Sequence, residues 1–178
     1  MAQVKFSITR DDLRPALTRL VKLGKDPTPV LRSMGTVFLS ITMGNFKTGN
    51  AEYRPLVWKP KWGGAAATLQ KSGTLSRAFH LSVSRTLATV QNPMPYAAIH
   101  QFGGVIKPKG KKALAWLGAN GVKIVRKSVT IPPRPFYPVL NGQLTPKASE
   151  KIVAAGMNAV RRAAGDASVA STGGAHHG

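Results

Sequence analysis

The side chains best suited to acid–base chemistry at neutral pH are four histidines, His80, His100, His176 and His177. Paired carboxylates, which general acid–base and two-metal catalysis use, are missing from residues 53–149, where no Asp or Glu occurs. His80 and His100 are not at a metal-ligand spacing, and no acid lies near either in sequence to orient its ring. The adjacent His176 and His177 stand in a Gly/Ala-rich tail. We therefore expect no enzyme, no metal site and no cofactor.

The charge of the chain is strongly one-sided. Its 178 residues carry 26 Lys and Arg against 6 Asp and Glu, for a formal charge of +20 and a pI near 11.3. A merely soluble surface normally mixes both signs, whereas a basic field concentrates phosphates or an acidic partner surface. We predict that the densest basic cluster faces an acidic partner or DNA, and the sequence leaves both open. The cluster consists of Lys107, Lys109, Lys111, Lys112, Lys123, Arg126 and Lys127.

Length and composition indicate a folded protein. An apolar fraction of 43% is ordinary for a chain that buries a core, so high charge alone does not indicate disorder. There is no Cys, which excludes disulfides and thiol chemistry. No apolar run approaches the roughly 18 residues of a membrane span, and residues 1–5 lack the apolar centre of a signal peptide. We expect a soluble protein, made in the cytoplasm and without a membrane partner.

Two amphipathic helices are predicted near the N-terminus. Residues 3–8 alternate apolar and polar side chains, which is typical of a short strand. Thr9 follows as the N-cap of a first helix that ends at Gly24, and a second helix runs from Thr28 to Gly44 with Pro29 in its first turn. Each helix carries an apolar stripe, so we expect the two to pair with each other.

A further helix is predicted near the C-terminus. Thr145 and Pro146 provide a start signal, and the helix should run to about Ala164 with Gly165 as its stop. Residues 166–178 are rich in Ala, Ser and Gly, which is typical of a flexible tail. The folded domain is therefore expected over residues 1–165.

The first predicted hairpin follows a short helical stretch over residues 68–72 that Gly73 ends. Segments 79–84 and 87–91 then alternate with a period of two around Arg85–Thr86. Antiparallel pairing of these two segments is the simplest arrangement.

The second predicted hairpin carries the basic cluster. Segments 113–117 and 122–125 flank a turn in which Asn120–Gly121 supplies positive φ angles. Val129 and Ile131 should extend this sheet. The sequence thus predicts a projecting basic arm over residues 105–131.

This order of elements predicts an α+β fold. Helices come first, then strands, then a helix, without the βα alternation of a parallel sheet. We expect an antiparallel sheet packed by two N-terminal helices and one C-terminal helix, with the basic hairpin projecting from it.

Residues 45–64 form a long segment without periodicity, rich in Pro, Gly and aromatic residues. A loop of this length inside a compact domain is usually functional or disordered, and two Trp residues argue against plain disorder. Trp58 or Trp62 could close one end of the core, or the loop could pack on a neighbouring subunit. The sequence does not decide between these two interpretations.

Two short stretches are more specific than the rest. Residues 96–104 read Tyr-Ala-Ala-Ile-His-Gln-Phe-Gly-Gly and predict one or two helical turns that end at two glycines with positive φ. Residues 131–136 read Ile-Pro-Pro-Arg-Pro-Phe and predict an extended segment, because a residue before Pro is held in β or polyproline geometry. Taken by themselves, both are stiff connectors around a sheet.

Together the two stretches resemble the phage virion-morphogenesis family of tail-completion and head–tail joining proteins of Mu-like and P2-like phages. The resemblance covers roughly residues 31–161. Its features, in family order, are a helix with Gly35 and Phe38, the loop at 58–60, the stretch 69–75, the motifs 96–104 and 131–136, and a closing helix. The basic strands between the two motifs and the Gly/Ala/Ser tail depart from the usual family pattern.

The resemblance implies a structural protein of the virion tail or neck, without catalytic residues. Related components assemble as rings, commonly of six subunits, around the channel through which the genome passes. The implied partners are further copies of the chain, other tail, terminator or connector proteins, and phage DNA in the channel. The residues implied to hold the core and the subunit boundary are Trp58, Trp62, Tyr96, His100, Gln101, Arg134 and Phe136.

Two functions of different classes follow from these observations. The first is a ring-forming tail-completion protein whose arm meets an acidic tail or connector surface, or the passing DNA. The second is a stand-alone nucleic-acid-binding protein, which the charge alone favours. The sequence contains no RNP-like aromatic motif, helix-turn-helix pattern or zinc signature. The resemblance therefore favours the first function.

Overall fold

The structure is a computed structural model that describes residues 13–47, 52–61, 64, 66–118 and 120–165, with side chains from residue 17 onward. Several predictions from the sequence lie outside the described residues. They are the strand over 3–8, the Thr9 cap, Trp62, and the tail over 166–178 with His176 and His177.

Five helices and eight short strands lie within the described residues. The helices are α1 (Leu13–Lys25), α2 (Thr28–Gly44), α3 (Thr74–Arg77), α4 (Ala97–Phe102) and α5 (Pro146–Ala164). The strands are β1 (His80–Val83), β2 (Ala88–Gln91), β3 (Gly104–Ile106), β4 (Leu114–Leu117), β5 (Lys123–Arg126), β6 (Val129–Ile131), β7 (Val139–Leu140) and β8 (Gln143–Leu144). Helices and antiparallel strand pairs confirm the α+β class.

Helix α5 is the element on which α1 and α2 both pack. Ser33 Oγ donates a hydrogen bond to the carbonyl of Ala155 at 3.1 Å, and Arg19 Nη2 donates to the carbonyl of Ala164 at 3.0 Å. Small residues on α5 permit this close approach, since a Cβ on Gly156 would lie 2.9 Å from the sulfur of Met34. The predicted pairing of α1 with α2 is therefore replaced by the packing of each helix on α5.

The ends of α2 and α5 lie where the sequence predicts them, at Thr28–Gly44 and Pro146–Ala164. The predicted helical stretch over 68–72 is wrong, because the helical turn in this region is α3 and begins at Thr74. Hydroxyl groups on both sides of Gly73 fix this start. Ser72 Oγ lies 2.9 Å from Thr74 Oγ1, and Arg77 Nη2 donates to the carbonyl of Ser72 at 2.8 Å.

The strands of the described residues form four separate two-stranded antiparallel ladders instead of one sheet. The ladder β1–β2 pairs His80 with Gln91 and closes where the N–H of Ser84 donates to the carbonyl of Leu87 at 2.8 Å. Its strands are the two predicted for the first hairpin. Each ladder is short, since the strands are only two to four residues long.

The basic segment is a two-stranded arm with a different base from the one predicted. Strands β4 and β5 pair as expected, from Leu114 opposite Arg126 to Leu117 opposite Lys123. However, β6 does not extend this ladder; it pairs with β3, with Gly104 opposite Ile131. The chain leaves along β3 and returns along β6, so β3 and β6 form the base of the arm and β4 and β5 form its tip.

The hairpin β7–β8 was not predicted from the sequence. Its turn is Asn141–Gly142, with φ angles of 51° and 79°. Asn-Gly is the residue pair that tolerates two positive φ angles in a tight hairpin turn. This sequence signal was present and could have located the hairpin.

The core consists of an aromatic cluster and a smaller aliphatic one. Phe46 lies at the centre of the first, with ring centroids 5.3 Å from Phe136, 5.8 Å from Phe79 and 5.9 Å from Trp58. Ile41 joins Ala148 and Ile152 in the second, between α2 and α5. Offset and edge-to-face aromatic pairs of this kind stabilise a core beyond the area that they bury.

Candidate assembly interface

The two sequence motifs contact each other directly. Helix α4 ends in Gly103 and Gly104, with φ angles of 72° and 154°, as the sequence predicts. Gln101, which is 6% exposed, accepts hydrogen bonds at Oε1 from the backbone N–H groups of Phe136 at 3.0 Å and Tyr137 at 3.1 Å. The side-chain amide of Gln101 in the first motif therefore binds the backbone at the end of the second motif.

Side chains also satisfy the carbonyl groups of the second motif. Prolines remove backbone donors and disfavour a strand ladder, so the carbonyl groups of this segment need other partners. Trp58 Nε1 donates to the carbonyl of Pro135 at 2.9 Å, and Asn45 Nδ2 donates to that of Phe136 at 2.9 Å. The sequence reasoning missed Asn45, which is completely buried. A polar residue directly after the helix stop at Gly44 was the available signal.

Arg134 ties the loop over residues 45–64 to the same unit. Its Nε and Nη2 donate to the carbonyls of Lys59 and Pro60, both at 3.1 Å. Burial lowers the pKa of Arg134 from its usual value, although an arginine stays charged in a protein. We call the buried set Asn45, Trp58, Gln101, Arg134 and Phe136 the clasp.

The side chains of the clasp are buried within the single subunit. Trp58 is 6% exposed and packs in the aromatic core, and the guanidinium of Arg54 lies 3.9 Å above its ring. This location agrees with the interpretation that Trp58 closes the core. A contact between these buried side chains and a neighbouring subunit stays a prediction.

Tyr96 and His100 lie at the edge of the clasp. Their ring centroids are 6.1 Å apart and nearly perpendicular, and Tyr96 is 40% exposed. His100 Nδ1 is buried and has no hydrogen-bond partner among the described residues. Burial, and after it the charge of Arg134, lowers the pKa of His100 below its usual value. The imidazole of His100 is therefore neutral at pH 7.

All seven basic residues of the arm are exposed. They lie on both sides of the tip, at Lys107, Lys109, Lys111, Lys112, Lys123, Arg126 and Lys127. Trp116 and Ile124 face each other across β4 and β5 and are half-buried. On the other side of this ladder Leu117 is 72% exposed and Val125 is 49% exposed. The tip thus presents cations together with apolar side chains.

Phe102 is the most exposed Phe, Tyr or Trp of the described residues, at 77%, although it directly follows the buried Gln101. It borders a groove of about 400 Å³ that has no charged residue in its lining. Leu56 and Leu140, which are 43% and 42% exposed, lie on this groove with Pro133. The sequence reasoning missed Phe102; the aromatic residue directly before Gly103 was the signal.

Within the described ranges, no three His, Asp or Glu side chains come together as a metal-binding group. None of the helices in the described part of the chain combines the length and apolar character needed to cross a membrane.

Comparison with known protein families tests the family resemblance that the two motifs indicate. The model of the phage virion morphogenesis family matches residues 8–160. The chain belongs to this family. The match spans the clasp, both motifs and the basic arm. Searches of curated proteins and of solved structures returned no match.

Membership in the phage virion morphogenesis family confirms the resemblance and assigns the chain to phage virion assembly. In this virion-morphogenesis protein, Trp58, Gln101, Arg134 and Phe136 of the motif stretches are buried. Phe102 and the basic arm are instead exposed. These exposed features are the ones available for contacts with other molecules.

Proposed function

We propose that this protein is a non-enzymatic component that completes the phage tail and joins it to the head or connector, as a ring around the DNA channel. Family membership supports a role in the virion. The observation that carries the proposal is the 77% exposure of Phe102 on an uncharged groove, next to a base from which the basic arm projects. An exposed aromatic on a rigid core is typical of a protein–protein contact.

The uncharged groove is the proposed contact between subunits of the ring. Each copy carries a formal charge of +20, so two copies repel each other over most of their surfaces. Phe102, Leu56 and Leu140 offer a surface without that repulsion. Aromatic anchors in such patches supply much of the binding energy at protein interfaces. Six subunits is the number that the family resemblance implies.

The basic arm is the proposed contact with the next component of the virion. Its seven cations are exposed, and no carboxylate occurs between residues 53 and 149 to neutralise them. An acidic surface on a tail or connector protein complements this charge, and so does DNA in the channel. The same lack of carboxylates supports a structural role without catalytic residues.

Two measurements test the proposal. Mass determination and negative-stain imaging of the purified chain should show a ring of defined subunit number. A phage that lacks this gene should accumulate separate heads and tails, and a plasmid copy should restore joined particles. A chain that stays monomeric at all concentrations, is absent from purified virions and binds duplex DNA tightly would instead be a stand-alone nucleic-acid-binding protein.

A further inference from the structure

Two neighbouring clefts share two cationic residues in their linings. One has a volume of about 450 Å³ and the other about 490 Å³, and Lys61 and Arg134 line both. The first continues to Lys71 and His100, and the second continues to Arg126 at the root of the arm tip. Because Lys61 and Arg134 line both clefts, we treat the two clefts as one basic groove.

The basic groove selects an anionic ligand. Lys61, Lys71, Arg126 and Arg134 line it, and neither cleft has an Asp or Glu in its lining. The neutral imidazole of His100 adds polarity without charge. Cations that converge on a cleft raise the local potential above that of a flat surface with the same charges.

Strand β6 runs along the second cleft. Residues from Ser128 to Pro132, which include all of β6, line this cleft, whereas no residue of β3 does. Within the described residues β6 pairs only with β3, so its other edge has no strand beside it. An open strand edge presents backbone N–H and C=O groups that a further strand can pair with.

We propose that the basic groove binds an extended acidic segment of a partner protein, which adds as a strand to the open edge of β6. Backbone pairing with β6 supplies the affinity, and Lys61 and Arg126 select acidic side chains. The inference rests on the proposed function, since it names the kind of segment by which a tail or connector protein is held.

The groove geometry favours a peptide over a nucleic acid. Phosphate oxygens accept hydrogen bonds but do not donate them, so they would leave the carbonyl groups of β6 unpaired. Grooves for single strands combine cations with a series of aromatic side chains for stacking, whereas the aromatic rings in the lining of these two clefts are Tyr96 and His100, both in the first cleft and none along β6.

Fluorescence anisotropy with the full chain tests the inference. The probe is a labelled Glu-Val-Glu-Val-Glu-Val peptide, compared with the same peptide N-methylated at alternate amides and with an oligo-dT of equal length. We expect the first peptide to bind, the methylated peptide to lose binding, and Lys61→Glu with Arg126→Glu to weaken binding by about tenfold or more. The matched control, Lys107→Glu with Lys109→Glu, makes the same charge change outside the groove and should stay within about twofold.

Three results would each overturn the inference. They are equal weakening by the control pair, equal binding of the methylated peptide, and tighter binding of oligo-dT with the same dependence on Lys61 and Arg126. Circular dichroism confirms that each variant is folded. A chain that binds the peptide but is absent from virions would contradict the proposed function alone. A virion component that does not bind the peptide would contradict this inference alone.

Discussion

The side-chain oxygen of Gln101 lies 3.0 Å from the backbone nitrogen of Phe136, and this hydrogen bond joins two residues that are 35 positions apart. The arm over residues 105–131 lies between them in sequence. The bond therefore closes the chain at the base of the arm, so the two family motifs act as one structural unit. Basic strands can be inserted between the motifs because the clasp holds the ends of the insertion together.

Replacing Gln101 by Met should destabilise the fold. The substitution leaves the buried N–H of Phe136 and the partly buried N–H of Tyr137 without an acceptor. We expect the free energy of unfolding to fall by about 2–4 kcal/mol, since each unsatisfied buried donor costs about 1–3 kcal/mol. Urea denaturation measures the change. Gln143→Met, at an exposed position of β8, is the control, and an equal loss there would contradict the role of Gln101.

Two helical glycines should respond with opposite sign to Ala. A Cβ on Gly35 would lie 2.6 Å from Leu81 Cδ1 and 3.2 Å from Ala88 Cβ, where α2 contacts the first hairpin. Gly24 has no atom within 4 Å of the same position. We expect Gly35→Ala to lower the melting temperature through about 1–3 kcal/mol of overpacking. Gly24→Ala should raise it slightly, because Ala is the better helix former. Destabilisation by both would show that close packing is not the cause.

Capping, stop and turn residues in the sequence predicted the elements whose ends are set by residues close to them in the chain. The start at Thr28 and the stop at Gly165 each follow from residues within one turn of the chain. The structure has α2 and α5 at those places, and the β4–β5 ladder lies on both sides of Gly121, which has the positive φ expected of it. The N-terminal strand and Trp62 lie outside the described residues, so those predictions stay predictions.

Long-range pairing was not predictable from the same signals. The pattern of Val129 and Ile131 indicates a strand but does not identify its partner, and β6 pairs with β3 instead of β5. Similarly, the sequence around Asn45 indicates only a loop residue. Its hydrogen-bond partner, the carbonyl of Phe136, is 91 positions away in sequence. The exposure of Phe102 depends on which side of α4 faces the clasp. Contacts of this kind are set by the tertiary fold.

Acidification should weaken the fold through His100. Burial and the nearby Arg134 hold its pKa below that of the unfolded chain, which is about 6.5. The unfolded state therefore takes up more protons as the pH falls through 6.5, and the free energy of unfolding decreases over that range. Urea midpoints from pH 7.5 to 5.5 measure the slope. His100→Gln should flatten it, whereas His80→Gln, at an exposed position, should not. An unchanged slope in His100→Gln would contradict the assignment.

Charge reversal on the arm should impair joining and leave the subunit folded. Lys109, Lys111 and Lys112 are exposed, so their replacement by Glu removes no buried contact. We expect few joined particles when this variant complements a phage that lacks the gene, since the variant repels an acidic partner. The control reverses exposed Arg32, Arg85 and Lys147, with an equal change in net charge. If the arm variant unfolds in a thermal melt, the arm is a structural element and not a docking surface.

Replacing Phe102 by Asp should dissociate the proposed ring. The side chain is 77% exposed in the single chain, so the substitution costs the subunit little stability. At a subunit contact it would remove an aromatic anchor and bury a charge, which weakens association by about 30-fold or more. Sedimentation velocity measures the shift to smaller species, and an unchanged thermal melt shows that the subunit is intact. Leu117→Asp is the control, because Leu117 is 72% exposed on the arm and not in the groove. Rings that survive Phe102→Asp, or that Leu117→Asp disrupts equally, would place the subunit contact elsewhere.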